Sequence, residues 1–151
     1  MRHILVTGAT DGIGKVTARE LGAPDTTVWI VGRDAEKTAA VTRELQAARP
    51  AATYHHFIAD LSRPPEVRRL GLEVLSKLPR LDVLVNNAGA YFSDYQKTPD
   101  GFERTFALNH LGYFVLTHHL LPLLKKAPKA RVISVASEAH RMGRIDFDNL
   151  Q

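Results

Sequence analysis

The hydrophobic positions of the 151-residue chain form short apolar runs separated by longer segments of helical periodicity. Five runs predict strands, at residues 3–7, 27–31, 53–58, 82–85 and 131–135. Each run is nearly continuous, which is typical of parallel strands buried on both faces. Helical segments are predicted at residues 12–21, 34–48, 64–78 and 99–124. The alternation predicts an α/β fold, a Rossmann-type doubly wound parallel sheet that is truncated after the fifth strand.

The apolar positions within the first two helical segments predict which side packs on the sheet. Ile13, Val16 and Leu21 share one side of the first helix. Val41 and Leu45 face inward from the second. These five side chains are therefore expected in the core.

Composition narrows the domain organisation and the class of partner. With 44% hydrophobic residues, residues 1–151 are expected to form one domain. The formal charge is +4, but the 20 Lys and Arg residues are spread along the chain without interleaved aromatic residues. These positive charges are therefore better explained as solvated helix faces than as a surface that binds nucleic acid.

The N-terminus and the cysteine count bear on location. A strand pattern begins at once after Met1, which leaves no room for a signal peptide. The longest apolar stretch, residues 113–124, is interrupted by His118, His119 and Pro122, so no membrane span is predicted. The absence of cysteine excludes a disulfide framework and a thiolate nucleophile, and it is compatible with a reducing compartment. We expect a cytoplasmic protein.

A glycine-rich loop, Thr-Gly-Ala-Thr-Asp-Gly-Ile-Gly at residues 7–14, joins the first strand to the first helix. Gly8 suits a tight turn, Gly12 allows the backbone to approach a pyrophosphate, and Gly14 allows close helix packing. The N–H groups of the helix N-terminus stabilise the phosphate charge. The alternative, glycines with a purely structural role, is weakened because the loop lies at the strand-to-helix junction that a dinucleotide site requires.

The phosphate loop of nucleoside triphosphatases is a competing interpretation, because Gly14 is followed by Lys15. That loop requires a glycine where Ala9 stands and a serine or threonine where Val16 stands. Two mismatches disfavour it.

The end of the second strand bears on which dinucleotide is bound. A carboxylate there accepts the ribose 2′-OH of NAD, whereas an arginine compensates the 2′-phosphate of NADP. Gly32 stands where a carboxylate would repel the 2′-phosphate, and Arg33 follows it. Residues 1–151 are therefore predicted to be an NADP-binding domain, with NAD less favoured as the ligand. Asp34 is the counter-evidence, and we interpret it as the N-cap of the second helix.

Four further segments follow the later strands or interrupt the fourth helix. Asp60-Leu61 follows the third strand, and Asn86-Asn87-Ala88-Gly89 ends the fourth. Asn109 lies inside the fourth helix, where asparagine is costly, and Ser137 ends the fifth strand. Each has a structural interpretation of its own, such as a turn acid, a polar turn or a loop cap. In this order, together with the glycine loop, they resemble the short-chain dehydrogenase/reductase family.

The resemblance implies an oxidoreductase that interconverts a carbonyl and an alcohol of a small-molecule substrate by hydride transfer. It implies that Asp60 receives the adenine amino group and that the segment after the fourth strand lines the ribose and nicotinamide. It implies that Asn109 distorts its helix and anchors a water of a proton relay, while Ser137 orients the substrate oxygen. The cofactor-binding candidates are Gly8, Thr10, Asp11, Gly12, Ile13, Gly14, Arg33, Asp60, Leu61, Asn87, Ala88 and Gly89, and the catalytic candidates are Ser137 and Asn109.

Residues 138–140 and 145–150 are similar to the retinol dehydrogenase-like branch of the family. The family's Tyr-x-x-x-Lys pair is not found, because none of the four tyrosines has a lysine four places on. The chain alone is therefore predicted to be inactive, with its fifth strand an exposed edge. The resemblance also allows a homo-oligomer through the long fourth helix. The alternative function is a non-catalytic dinucleotide-binding sensor or scaffold.

Other catalytic and metal-binding arrangements are disfavoured. No Gly-x-Ser-x-Gly motif surrounds Ser137, so a hydrolase triad with His140 lacks support. His55-His56 and His118-His119 are adjacent pairs, whose side chains diverge on a strand or a helix. No metal site is predicted.

Overall fold

The computed structural model describes residues 1–149, which form a five-stranded parallel sheet between two layers of helices. The strands are β1 (Arg2–Thr7), β2 (Thr26–Gly32), β3 (Thr53–Ile58), β4 (Val83–Asn86) and β5 (Arg131–Ser134). Their order across the sheet is β3-β2-β1-β4-β5, and all neighbours are parallel. The predicted doubly wound α/β fold is confirmed. Leu150, which ends the predicted branch-specific segment, and Gln151 lie outside the described residues.

The helices follow the strands in the predicted alternation. They are α1 (Gly12–Glu20), α2 (Ala35–Ala48), α3 (Pro64–Lys77), α4 (Arg104–Phe106) and α5 (Gly112–Leu124), with a π-helical turn at Ala107–Leu111 and a 3₁₀ helix at Glu138–Met142. No helix in the described part of the chain is both long and apolar enough to cross a membrane.

The core consists of two apolar layers, one on each face of the sheet. Successive strand residues point to opposite faces, so Leu5 and Val31 pack towards α3 and α5. Val6 and Ile30 pack on the opposite face, with Val41 of α2. Because the central strands β1, β2 and β4 are covered on both faces, their apolar runs are continuous, as predicted.

The packing face of α1 differs from the prediction. Ile13 is 69% exposed and Val16 is 50% exposed, whereas Gly14 and Ala18 are buried. A Cβ atom at Gly14 would collide with the side chain of Asn87 and with the carbonyl of Gly8. The helix thus lies so close to the glycine loop and the sheet that only small residues fit beneath it, and the larger apolar side chains point outwards.

The predicted fourth helix, at residues 99–124, begins later and is not uniform. The residues just before position 104 are not helical. They include a turn in which Gly101 has a φ of +87° and donates its N–H to the carbonyl of Thr98. The helix starts at Arg104, and the Glu103 carboxylate accepts hydrogen bonds from the first turn. The Pro-Asp-Gly turn therefore overrides the helical periodicity at this end.

The outer strands are less buried than predicted. All four residues of β5 are exposed, and Val132 is 45% exposed. The prediction of burial on both faces is wrong for this strand, because β5 is a sheet edge and the described residues leave it largely uncovered. The expected exposed edge is confirmed. At the other edge, only Tyr54 and Phe57 of β3 are buried.

Candidate dinucleotide site

A cleft of about 1130 Å³ opens along the carboxyl ends of the strands. In the sheet, β2 and β3 lie on one side of β1, and β4 and β5 lie on the other. Ligands of doubly wound sheets bind where the strand order reverses in this way, which here is between β1 and β4. All fourteen predicted site residues line this one cleft: Gly8, Thr10, Asp11, Gly12, Ile13, Gly14, Arg33, Asp60, Leu61, Asn87, Ala88, Gly89, Asn109 and Ser137. The fold thus brings together residues that are separated by up to 129 positions in the sequence, from Gly8 to Ser137.

The glycine loop has the conformation that its sequence predicts. Gly8 has a φ of +62°, and a Cβ atom there would contact the Cα of Ala88. Gly12 has a φ of +49° but no neighbouring atom where its Cβ would be, so its backbone borders open space. Asp11 caps α1 by accepting a hydrogen bond of 2.8 Å from the N–H of Gly12. The open space above this helix N-terminus fits a pyrophosphate.

A buried threonine, which the sequence interpretation overlooked, holds the loop to the next segment of the cleft. The Thr7 hydroxyl oxygen accepts hydrogen bonds from the N–H groups of Asn87 and Ala88, at 2.9 and 3.0 Å. The same hydroxyl donates to the carbonyl of Val85 at 3.2 Å. Thr7 is 1% exposed, so this hydroxyl satisfies backbone groups that water reaches poorly. The only sequence signal is a hydroxyl residue at the end of an apolar strand.

Asn87 has a structural role that the resemblance did not specify. Its side-chain amide donates to the carbonyls of Thr7 and Gly8, at 2.9 and 3.2 Å. The motif after β4 therefore fixes the backbone of the glycine loop as well as lining the cleft. Ala88 and Gly89 continue the wall towards the carboxyl end of β5.

The end of β2 has no room for a side chain at position 32. Gly32 is buried, and a Cβ atom there would collide with the hydroxyl of Thr38 and the methyl group of Thr10. Arg33 is exposed and lines the cleft. Asp34 caps α2, and its carboxylate accepts a hydrogen bond of 2.8 Å from the N–H of Lys37. The interpretation of Asp34 as an N-cap is confirmed.

Asp60 lies at the cleft wall in a turn of its own. One of its carboxylate oxygens accepts hydrogen bonds from the N–H and the hydroxyl of Ser62, at 3.0 and 2.7 Å. Its N–H donates to the carboxylate of Glu66 in α3. The turn role is thus present, and the carboxylate still has acceptor capacity for an adenine amino group because it offers about four lone-pair sites.

Asn109 lies in the π-helical turn Ala107–Leu111, so the helix is distorted at the predicted place. Its amide donates to the carbonyl of Ala90 at 2.9 Å and accepts from the N–H of Ala90 at 3.0 Å. These reciprocal bonds attach the π turn to the wall that follows β4. The role of Asn109 in holding a relay water stays a prediction.

Ser137 begins the 3₁₀ helix after β5, and its hydroxyl oxygen accepts from the N–H of Ala139 at 3.1 Å. His140 contacts the backbone carbonyl of Ser137 through Nδ1, at 2.7 Å, rather than the hydroxyl. This geometry gives no serine–histidine nucleophile pair. The hydrolase alternative is therefore disfavoured by structure as well as by sequence.

The residues that line the cleft near Asn109 include Phe92, Arg104 and Tyr113, which were not predicted. The guanidinium carbon of Arg104 lies 4.1 Å from the ring centre of Phe92, and Tyr113 lies one helical turn beyond Asn109. Burial raises the pKa of the Tyr113 hydroxyl, so this group is protonated at neutral pH. Nothing in the spacing of these residues indicates that they meet, because a loop and a helix separated in sequence bring them together.

The side chains of His55 and His56 have separate environments, whereas the rings of His118 and His119 lie edge to face with their centres 5.9 Å apart. His55 packs on the ring of Trp29, while Nδ1 of His56 lies 2.9 Å from the Thr42 hydroxyl, so the two side chains diverge as predicted. Between residues 1 and 149, no group of three or more acidic or histidine side chains is arranged to hold a metal ion.

Comparison with known proteins gives the family directly. The short chain dehydrogenase family model matches residues 2–149. Retinol dehydrogenase 11 of Homo sapiens is 43% identical over 148 residues, which are 98% of this chain and 46% of that protein. The predicted resemblance to the retinol dehydrogenase-like branch is confirmed. The chain spans about half the length of the curated relatives it matches.

Solved structures agree with this assignment. A crystal structure of a protein from Mycobacterium paratuberculosis is 39% identical, with a TM-score of 0.84, and the match covers 99% of this chain and 51% of that one. A metagenomic short-chain oxidoreductase in complex with NADP is 32% identical, with a TM-score of 0.77, and the match covers 90% of this chain and 62% of that one. Sequence and structure together show that the chain belongs to the short-chain dehydrogenase family.

Proposed function

We propose that this chain supplies the cofactor-binding part of an NADP-preferring oxidoreductase that interconverts a carbonyl and an alcohol. The observation that carries the proposal is the single cleft that contains both the glycine loop and Arg33. Family membership supports a nicotinamide dinucleotide as the cofactor, and the metagenomic relative was crystallised with NADP.

The cleft fits the cofactor in two respects. Its glycine loop leaves open space above Gly12, at the N-terminus of α1, where N–H groups and the helix dipole stabilise a pyrophosphate. At the end of β2, Thr10 and Thr38 occupy the space that a side chain at position 32 would need. A ribose-binding carboxylate is thus excluded there by packing, and the exposed guanidinium of Arg33 supports selection of the 2′-phosphate.

Two residues at the far end of the cleft have catalytic roles that the family resemblance implies. Ser137 presents its hydroxyl at the carboxyl end of β5, where it can donate a hydrogen bond to a carbonyl oxygen. Asn109 fixes the opposite wall through Ala90. Bound NADP supplies the hydride chemistry. By family resemblance, a Tyr-x-x-x-Lys pair transfers the proton to or from the substrate oxygen. None of the four tyrosines in these 151 residues belongs to such a pair.

The purified 151-residue chain is therefore expected to show no turnover of retinaldehyde with NADPH, although it binds NADPH. The general acid that the resemblance implies, the tyrosine of the Tyr-x-x-x-Lys pair, is missing from these residues, and such a group typically contributes about 10²–10⁴-fold. The measurement is the decrease of NADPH absorbance with and without retinaldehyde. Carbonyl reduction above the buffer rate would show that the catalytic machinery is wrongly assigned.

Replacing Arg33 by methionine tests the cofactor preference. The variant is expected to bind NADPH about 10- to 100-fold more weakly, because a charge-assisted contact with the 2′-phosphate is lost. Affinity for NADH is expected to stay within about threefold, because NADH lacks this phosphate. Fluorescence titration of both cofactors measures the ratio. Arg43→Met, which removes the same charge from the exposed side of α2, is the matched control. Equal losses for NADPH and NADH would refute the proposed selectivity of Arg33.

A membrane-independent, cytoplasmic location and self-association through the fourth helical segment stay predictions. A sensor or scaffold function would be favoured instead if the chain bound NADPH and a longer natural form also lacked turnover. The assay described above, repeated on that form, separates the two functions.

A further inference from the structure

An ion pair at the rim of the cleft joins the first turns of α1 and α2. The Lys37 ammonium lies 3.0 Å from Oδ2 of Asp11, while Oδ1 of Asp11 accepts the hydrogen bond from the N–H of Gly12. Asp11 lines the cleft directly. A lysine from the second helix is therefore held beside the loop that borders the open space for a pyrophosphate.

Helix stability does not explain a lysine at this position. Lys37 is the third residue of α2, and the N-terminus of a helix disfavours positive charge. Both partners are largely exposed, and a solvent-exposed ion pair contributes little to the stability of a fold. The position of Lys37 is better explained by a ligand with negative charge at this rim.

Charge around the 2′-phosphate position points to the same ligand. Arg33 lines the cleft four residues before Lys37, and the Lys37 ammonium contacts Asp11, which also lines the cleft. Asp11 is thus a negative charge at the same rim. Hydrogen bonds from Lys37 and from the N–H of Gly12 hold the pKa of Asp11 below its usual value, so it is ionised at neutral pH. Without Lys37, Asp11 would repel a phosphate.

We infer that Lys37 is a second cationic contact for the 2′-phosphate of NADP, and that Asp11 holds its ammonium at the cleft rim before the cofactor binds. The inference rests on the proposed preference for NADP and adds a specificity-determining residue to it. Lysine suits this role because its ammonium is a point charge on a flexible stem, with three donors that Asp11 and a phosphate can share.

The test uses two adenosine ligands that differ only in the 2′-phosphate: adenosine 2′,5′-bisphosphate and adenosine 5′-monophosphate. Calorimetric titration of the 151-residue chain gives the ratio of their affinities. Lys37→Gln removes the charge and keeps much of the length of the side chain. Asp11→Asn keeps an oxygen that can accept from the N–H of Gly12 and removes the negative charge. Arg43→Gln is the control for loss of one positive charge from α2.

Lys37→Gln is expected to weaken binding of the bisphosphate about 5- to 20-fold and to leave the monophosphate within about twofold. Asp11→Asn is expected to weaken bisphosphate binding about two- to fivefold and to leave the monophosphate within about twofold, because the Lys37 ammonium is no longer held at the rim and the negative charge of Asp11 was already compensated by Lys37. Arg43→Gln should change neither. Thermal melting of each variant shows that it is folded.

Each other result overturns the inference in a recognisable way. Equal weakening of both ligands by Lys37→Gln would mean that Lys37 acts only by supporting the loop. No change with either variant, while the unaltered chain prefers the bisphosphate, would remove Lys37 and leave the proposed function intact. No preference for the bisphosphate in the unaltered chain would overturn the proposed NADP selectivity and this inference together.

Discussion

Replacement of Thr7 by valine is expected to destabilise the chain by about 2–5 kcal/mol and to abolish measurable NADPH binding. Valine has nearly the same shape, but it leaves the N–H groups of Asn87 and Ala88 and the carbonyl of Val85 without their hydroxyl partner. Each buried unsatisfied group costs about 1–3 kcal/mol. The segment that forms one wall of the cleft would separate from the glycine loop, so stability and binding fall together. Chemical denaturation and NADPH titration measure the two effects.

Thr7→Ser is the matched control, because it keeps the hydroxyl and removes only a methyl group. It is expected to cost about 1 kcal/mol, in line with the loss of one buried methyl group, and to keep NADPH binding. If valine were tolerated as well as serine, the hydrogen bonds of Thr7 would not be what joins β1 to the segment after β4.

The second large effect is expected at Gly8. Alanine there must adopt a φ of +62°, and its Cβ would overlap the Cα of Ala88. The left-handed conformation costs about 1–2 kcal/mol, and overpacking against backbone adds about 1–3 kcal/mol. Gly8→Ala is therefore expected to lower the free energy of unfolding by about 2–5 kcal/mol and to weaken NADPH binding at least about tenfold, since the loop must shift.

Gly101→Ala separates the two contributions in the Gly8 variant. Gly101 also has a positive φ, +87°, but no atom lies near its Cβ position and it is not part of the cleft. Alanine at 101 is expected to cost about 1–2 kcal/mol and to leave NADPH affinity unchanged. A Gly8 variant that was no less stable than the Gly101 variant would contradict the close approach of Ala88.

Much of the fold follows from local sequence signals. The bounds of β3 agree with the apolar run that predicts it, and the other strand and helix bounds shift by one residue or so, except in the fourth helix. There, periodicity continues into Pro99, whereas the turn at Gly101 and the cap at Glu103 fix the true start. The turn and the cap determine where the helix starts, because the residues at that position themselves form the hydrogen bonds of the turn and the cap.

The two errors of burial have a different origin, because burial depends on which elements meet. Ile13 and Val16 have the period of a core face, but α1 lies too close to the sheet for them to fit beneath it. Val132 has the sequence of a buried strand residue, yet β5 is an edge. A single sequence does not contain the distance between a helix and a sheet, nor the neighbours of a strand.

The sequence predicts which residues line the site better than it predicts the contacts between them. Every predicted cofactor and catalytic candidate lines the cleft, because parallel strands bring their carboxyl ends to one edge. The contacts of Thr7 with Asn87, and of Lys37 with Asp11, join residues that are 80 and 26 positions apart. Such contacts depend on the register of β1 with β4 and on how α1 and α2 are placed, which no local pattern specifies.

The proposed cofactor preference is tested by titrating the unaltered 151-residue chain with NADPH and with NADH, with backbone amide chemical shifts as the readout. We expect saturable binding of NADPH at least about tenfold tighter than that of NADH. We also expect the largest shifts at Gly8, Gly12 and Arg33, which line the cleft. Absence of saturable binding up to millimolar concentration, tighter binding of NADH, or shifts confined to residues outside the cleft would contradict the proposal.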